Sequence, residues 1–82
     1  MNDPRTAIRA IVGAYGKLSV DLDSVGDDDD LVDLGLTSHA TVNVMLALEE
    51  EFDFEFPDEL LTKETFESVS AMLRVVSSLV PS

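Results

Sequence analysis

Asp33-Leu34-Gly35-Leu36-Thr37-Ser38-His39-Ala40-Thr41-Val42 is the stretch on which the fold turns. A glycine sits just before two adjacent hydroxyl residues, and behind them runs a strongly apolar-periodic, acid-rich segment. Glycine before a helix start supplies a backbone angle that other residues resist, or lets another molecule come close. Thr37 or Ser38 then offers the side-chain oxygen that a helix start needs for its free N–H groups. If Thr37 is the cap, the Ser38 hydroxyl is left free; if Ser38 is the cap, its oxygen is occupied. The sequence leaves both registers open.

Ser38 and His39 invite a nucleophile-and-base reading. Neighbouring helix positions project about 100° apart, so the two side chains diverge and form no local dyad. No Gly-x-Ser-x-Gly elbow is present either. Ser38 is therefore not read as a nucleophile, which leaves it to receive a group or to cap the helix, and His39 is read as a partly exposed contact residue beside it. No catalytic residue is assigned. With no Cys, no Trp and one His, the chain offers little equipment for chemistry of its own.

The 82 residues fit a single domain, 1–82, stabilised by one shared apolar core. The absence of cysteine removes disulfides and thiolate metal sites. From Met1 to Leu18 the apolar positions are interrupted by Arg5, Arg9 and Lys17, which is unlike a signal peptide, and no apolar run approaches membrane length. A soluble, cytoplasmic monomer is the expectation. Formal charge is −12, from 17 acids against 5 bases, and no Lys or Arg occurs between Leu18 and Thr62. That negative field disfavours nucleic acid and favours basic protein partners. The tract Asp21 to Asp27 opens like a calcium loop, but Val25 and Val32 fall where oxygen ligands are required, so no metal site is assigned. The run Asp27 to Asp30 could gather a divalent cation only loosely, by charge density.

Asp3-Pro4 opens a first helix with Ala7, Ile8, Ile11, Val12 and Tyr15 inward and Gly16 as its stop. The connection from Lys17 to Leu36 holds Leu18, Val20, Leu22, Val25, Leu31, Val32 and Leu34, and is expected to lie against the bundle. A second helix runs from about Ser38 to Phe52. Val42, Met45, Leu46, Leu48 and Phe52 are expected inward, and Thr41, Asn43, Glu49 and Glu50 outward. Its C-terminal end crowds Glu49, Glu50, Glu51 and Asp53 where the helix dipole disfavours them. Phe54-Glu55-Phe56 is extended, and Asp58 to Leu61 makes one helical turn. A last helix begins near Thr62 to Thr65, faces inward with Phe66, Val69, Met72, Leu73, Val76 and Leu79, and stops before Pro81. The expected fold is all-α: three longer helices plus one short helix, with a long structured loop between helices 1 and 2.

In this order, Asp33-Leu34-Gly35, Thr37-Ser38, Thr41-Val42, Ala47-Leu48-Glu49-Glu50-Glu51-Phe52 and Phe56-Pro57-Asp58 resemble the acyl carrier protein family over most of the chain. The resemblance implies a small carrier-like helical bundle in which Ser38 is esterified by 4'-phosphopantetheine, delivered from coenzyme A by a phosphopantetheinyl transferase. A phosphodiester at a helix start meets free N–H groups and the positive end of the dipole. Leu36, Thr37, His39, Val42, Met45, Glu49 and Glu50 are implied as partner contacts. Many carriers have Asp-Ser-Leu at this site; here Thr37 keeps a cap oxygen and His39 replaces an apolar contact. The tract from Gly35 to Val42, with Glu49-x-x-Phe52-Asp53, looks closer to stand-alone aminoacyl and D-alanyl carriers. That resemblance implies loading by an adenylate-forming amino acid or acyl ligase and delivery to a downstream acyl or aminoacyl transferase. A fatty-acyl or polyketide carrier is the alternative, and an acidic helical adaptor without a prosthetic group is the alternative of another class.

Overall fold

The computed structural model describes residues 3–80 and is helical throughout its regular elements. Helix α1 spans Pro4–Tyr15, α2 spans Ser38–Phe52 and α3 spans Val69–Leu79. The short helix expected near Asp58 is a single 3-10 turn, Asp58–Leu60, and a second such turn, Leu22–Ser24, lies in the long loop. Pro81, expected to stop the last helix, lies outside the described residues, as does Met1.

Proline at the first position of α1 costs no hydrogen bond, because that N–H would be free anyway. Ala7, Ile8, Ile11 and Val12 are buried as the spacing requires. Tyr15 is 47% exposed, not inward: the buried row passes from Ile8 through Val12 to Gly16, which leaves the phenol beside water. Gly16 ends the helix in a right-handed conformation (φ −76°), and the left-handed residue is Lys17 (φ 52°).

Helix α1 packs on both α2 and α3, and the core runs through all three with Val25, Leu31 and Leu36 from the loop. The inner row of α2 is Ala40, Val44 and Leu48, four residues apart. Leu48 was expected there. Val42 and Leu46 were expected there too, yet they are 50% and 52% exposed. The reason is the helix period: with Ala40, Val44 and Leu48 turned to the core, positions 42 and 46 lie about 200° round from 40 and 44 and face outward. Phe52 and Met45 are half-buried against the core.

The loop between α1 and α2 is structured, as expected, although Val20 and Val32 face solvent. Its ends are tied by Ser19, whose N–H and hydroxyl both donate to the Leu34 carbonyl at 2.9 Å. Its middle is tied to the other end of the chain: the Leu31 N–H donates to the Glu67 carbonyl at 2.8 Å, and the Ser70 N–H to the Asp27 carbonyl at 2.9 Å. Asp27 also binds α1 through its side chain, accepting from Arg5 Nε and, at 2.9 Å, from Arg9 Nη1. Arg9 reaches the Leu22 carbonyl as well, at 2.9 Å. The hydrogen bond from Arg5, with Arg9 adding to it, holds the Asp27 carboxyl below the usual carboxylate range and raises Arg5 in turn.

Three of the four acids from Asp27 to Asp30 accept hydrogen bonds within the loop or from α1. Asp27 has its arginines, Asp29 accepts from the Gly26 N–H at 2.8 Å and Asp30 from the Val32 N–H at 2.9 Å. Among the described residues, no group of three or more side chains is placed to hold a metal.

α3 begins later than the sequence suggests. Residues 62–68 form turns, held by a Thr62–Thr65 hydroxyl pair at 3.2 Å, and Ser68 caps the helix by accepting from the Ala71 N–H at 3.0 Å. Phe66 is buried ahead of the helix, edge-to-face on Phe56, with centroids 5.2 Å apart. Leu73 and Leu79 are half-buried. Among the described residues, no helix is long and apolar enough to cross a membrane.

Candidate functional site

The site is built by the turn that delivers the chain into α2. Gly35 has φ +112°, a region hostile to side chains, and a Cβ there would come within 3.0 Å of the Ser19 backbone nitrogen. The next residue, Leu36, is driven into the core at 5% exposure, and its N–H donates to the Leu31 carbonyl at 2.9 Å. One extended residue follows: Thr37 at φ −92°, ψ 166°.

Thr37 is the helix cap. Its Oγ1 accepts from the Ala40 N–H at 3.1 Å, while its carbonyl accepts from the Thr41 N–H at 2.9 Å and from the Thr41 hydroxyl at 2.8 Å. That settles the register left open by the sequence. Ser38 is the first residue of α2, exposed, and among the described residues its hydroxyl has no hydrogen-bond partner. The first-turn N–H groups of Ser38 and His39 have no intrahelical acceptor, and the helix dipole adds positive potential at this end.

Beside Ser38 opens a groove of about 700 Å³, walled by Val32, Leu36, Val42, Met45, Leu61 and Phe66, with Thr37, Thr41, Thr62 and Lys63 as its polar members. Leu36, Thr37, Val42 and Met45, expected as contacts around the serine, are all brought to it. His39, Glu49 and Glu50 are not among the residues that line it. His39 is exposed on the next helix position. Glu49 is half-buried, and its Oε2 accepts from the Phe56 N–H at 2.9 Å. It thereby satisfies a backbone donor of the Phe54–Phe56 segment, which has no regular structure of its own. Glu50 lies on a second, smaller groove with Ile11, Tyr15, Ala47 and Glu51.

The opposite wall, Leu61 to Phe66, was missed in the sequence. Its one available signal was Lys63, the first Lys or Arg after a long stretch that has neither.

The arrangement fits a phosphodiester-linked arm. A free, exposed hydroxyl offers a point of esterification, the helix start stabilises the negative charge, and an apolar groove adjoins the attachment point. Besides Ser38, the polar members of the groove are three threonines and a lysine, with neither an imidazole nor a carboxylate among them.

Comparison with known proteins agrees with this geometry. The family model described as "Phosphopantetheine attachment site" matches residues 7–76. The aminoacyl carrier protein of Agrobacterium fabrum is 45% identical over 65 residues, covering 79% of this chain and 78% of that protein. The structure superposes with a TM-score of 0.85 and 42% identity on a chain of an engineered Bradyrhizobium japonicum glycine:[carrier protein] ligase complexed with a carrier protein from Agrobacterium tumefaciens and AMP. The match covers 88% of this chain and 96% of that one. A complex of the Bradyrhizobium japonicum ligase with a glycylated carrier protein gives a TM-score of 0.76 at 36% identity, again over 88% and 96%. The chain belongs to the phosphopantetheine-attachment family, the carrier proteins whose covalent cofactor is 4'-phosphopantetheine.

Proposed function

We propose that Ser38 bears the 4'-phosphopantetheine and that the protein carries an amino acid, as a thioester on the arm, from an adenylate-forming ligase to a downstream transferase. The observation that supports this most directly is the division of labour at the start of α2: Thr37 takes the capping role, which leaves the Ser38 hydroxyl exposed and unbonded at the mouth of the groove. When bound, the arm supplies a thiol, which the cysteine-free chain lacks. This chain's residues do the rest. Thr37 and Gly35 orient the serine, the helix start stabilises the phosphodiester charge, and the exposed Val42 and Leu46 offer an apolar surface to partner enzymes.

On a separate phosphopantetheinyl transferase, Ser38 Oγ forms a bond to the phosphorus that carries the pantetheine of coenzyme A. The pyrophosphate bond to the adenosine half breaks, and the serine proton leaves with the transferase base. The protein itself has no catalytic role. It works as a cytoplasmic monomer and draws basic partners through its acids.

The amino acid cargo is supported by relatives: one is named an aminoacyl carrier protein, and another is glycylated in complex with its ligase. Intact mass after incubation with coenzyme A and a promiscuous transferase is the first test. The apo protein should gain one phosphopantetheine, and Ser38→Ala should gain none; a gain that persists in Ser38→Ala overturns the attachment site. A thioester should then form with ATP, an amino acid and a glycine:[carrier protein] ligase. The apolar walls of the groove also suit a fatty-acyl or polyketide cargo, and loading by long-chain acids alone would favour that reading.

A further inference from the structure

Five polar side chains line the groove, and three of them are already committed. Thr37 Oγ1 accepts from Ala40, the Thr41 hydroxyl donates to the Thr37 carbonyl, and the Thr62 hydroxyl pairs with Thr65. The Ser38 hydroxyl and the Lys63 ammonium remain, each without a side-chain partner among the described residues. The two ion pairs among those residues both use Asp27, with Arg5 and Arg9, and no described carboxylate pairs with Lys63.

The setting makes this notable. In a chain of net charge −12, which holds no Lys or Arg from Leu18 to Thr62, the groove beside Ser38 is lined by one cation and no carboxylate. Phe66 anchors the turn that carries the lysine: its N–H donates to the Lys63 carbonyl at 3.2 Å, and its ring is buried.

We propose that Lys63 is a positioning residue for the arm, its ammonium pairing with the phosphodiester on Ser38 across the mouth of the groove. The inference rests on Ser38 being the attachment point. A phosphodiester carries one permanent negative charge, and a flexible ammonium meets it as a point charge without demanding a fixed geometry. The helix start supplies partial charge from one side and Lys63 a full charge from the other. Because the surrounding surface is acidic, the anion finds no competing cation along the groove. The base of the arm is then held beside the apolar walls and kept off the carboxylates of the protein.

The test uses holo protein whose phosphopantetheine has been verified by intact mass, with ³¹P NMR of the phosphodiester and ¹³C NMR of the lysine Cε. Only two lysines are present, so Lys17 serves as an internal reference. On going from apo to holo, the Lys63 Cε resonance should shift and that of Lys17 should not. The phosphorus resonance should move between low and high salt, as screening loosens the pair. Lys63→Met at low salt should reproduce the high-salt position, and Lys63→Arg should keep the wild-type one. A phosphorus resonance that ignores Lys63→Met, or two lysines that respond alike, overturns the pairing while leaving Ser38 as the attachment point. Failure to gain phosphopantetheine overturns both. Equimolar inorganic phosphate added to the apo protein should leave Lys63 unmoved; an equal shift there would make it a general anion site and overturn its assignment to the arm.

Discussion

At Thr37 one hydroxyl decides what the next one is free to do. Its bond to the Ala40 N–H is an N-cap interaction, so Thr37→Ala should cost about 1 kcal/mol. A thermal melt should show this as a drop of roughly 4–8 °C for a domain of this size. Thr37→Asp should preserve the melting point, since a carboxylate caps and also suits the dipole. The sequence showed the hydroxyl pair but not which member caps, because that depends on backbone angles which neither letter specifies. Glu49 was harder still. It looked like an exposed acid in an acidic run, and its bond to the Phe56 N–H arises where the Phe54–Phe56 segment has no regular structure to use that donor.

Helix α2 shows why element boundaries were more legible than element faces. Its ends were readable from Thr37-Ser38 and from the acids before Asp53, which turns out of the helix at φ 55°. Its faces were not, because Val42, Val44, Met45, Leu46 and Leu48 surround the helix and support more than one inward row. Two leucines separate the rows experimentally. Leu48→Ala removes a fully buried side chain and should cost about 3 kcal/mol in denaturant unfolding. Leu46→Ala, at 52% exposure, should stay within about 0.5 kcal/mol of wild type. The start of α3 was placed too early for a related reason: Phe66 continues the spacing of Val69, Met72 and Val76 back into a turn, and nothing in that spacing marks the Ser68 cap as the true beginning.

For the whole molecule, charge is both liability and clasp. The excess of acids should make stability rise with salt, so the melting temperature should increase from low to moderate ionic strength; an unchanged value would contradict strong repulsion. Asp27 adds a pH dependence of definite sign. Its folded carboxyl titrates below the usual range, so the stability it contributes is complete above the ordinary aspartate pKa and is lost as pH falls through the depressed one. Asp27→Asn should therefore lower the melting point at neutral pH and make its decline in acid shallower. None of this partnership was legible, because Arg5 and Arg9 read as breaks in an apolar segment and Asp27 as one of four solvated acids.

The bonds from Leu31 to Glu67 and from Ser70 to Asp27 join parts of the chain that are far apart in sequence. Leu31 in turn receives the Leu36 N–H, one residue before Thr37. The turn that presents Ser38 is thus completed only when a large loop closes, and loop closure is the slow, entropic step of building contacts at long range. Presentation of the serine is accordingly a property of the closed chain and not of a short peptide. Residues 33–42 cut out on their own would keep every letter of the motif and lose its shape.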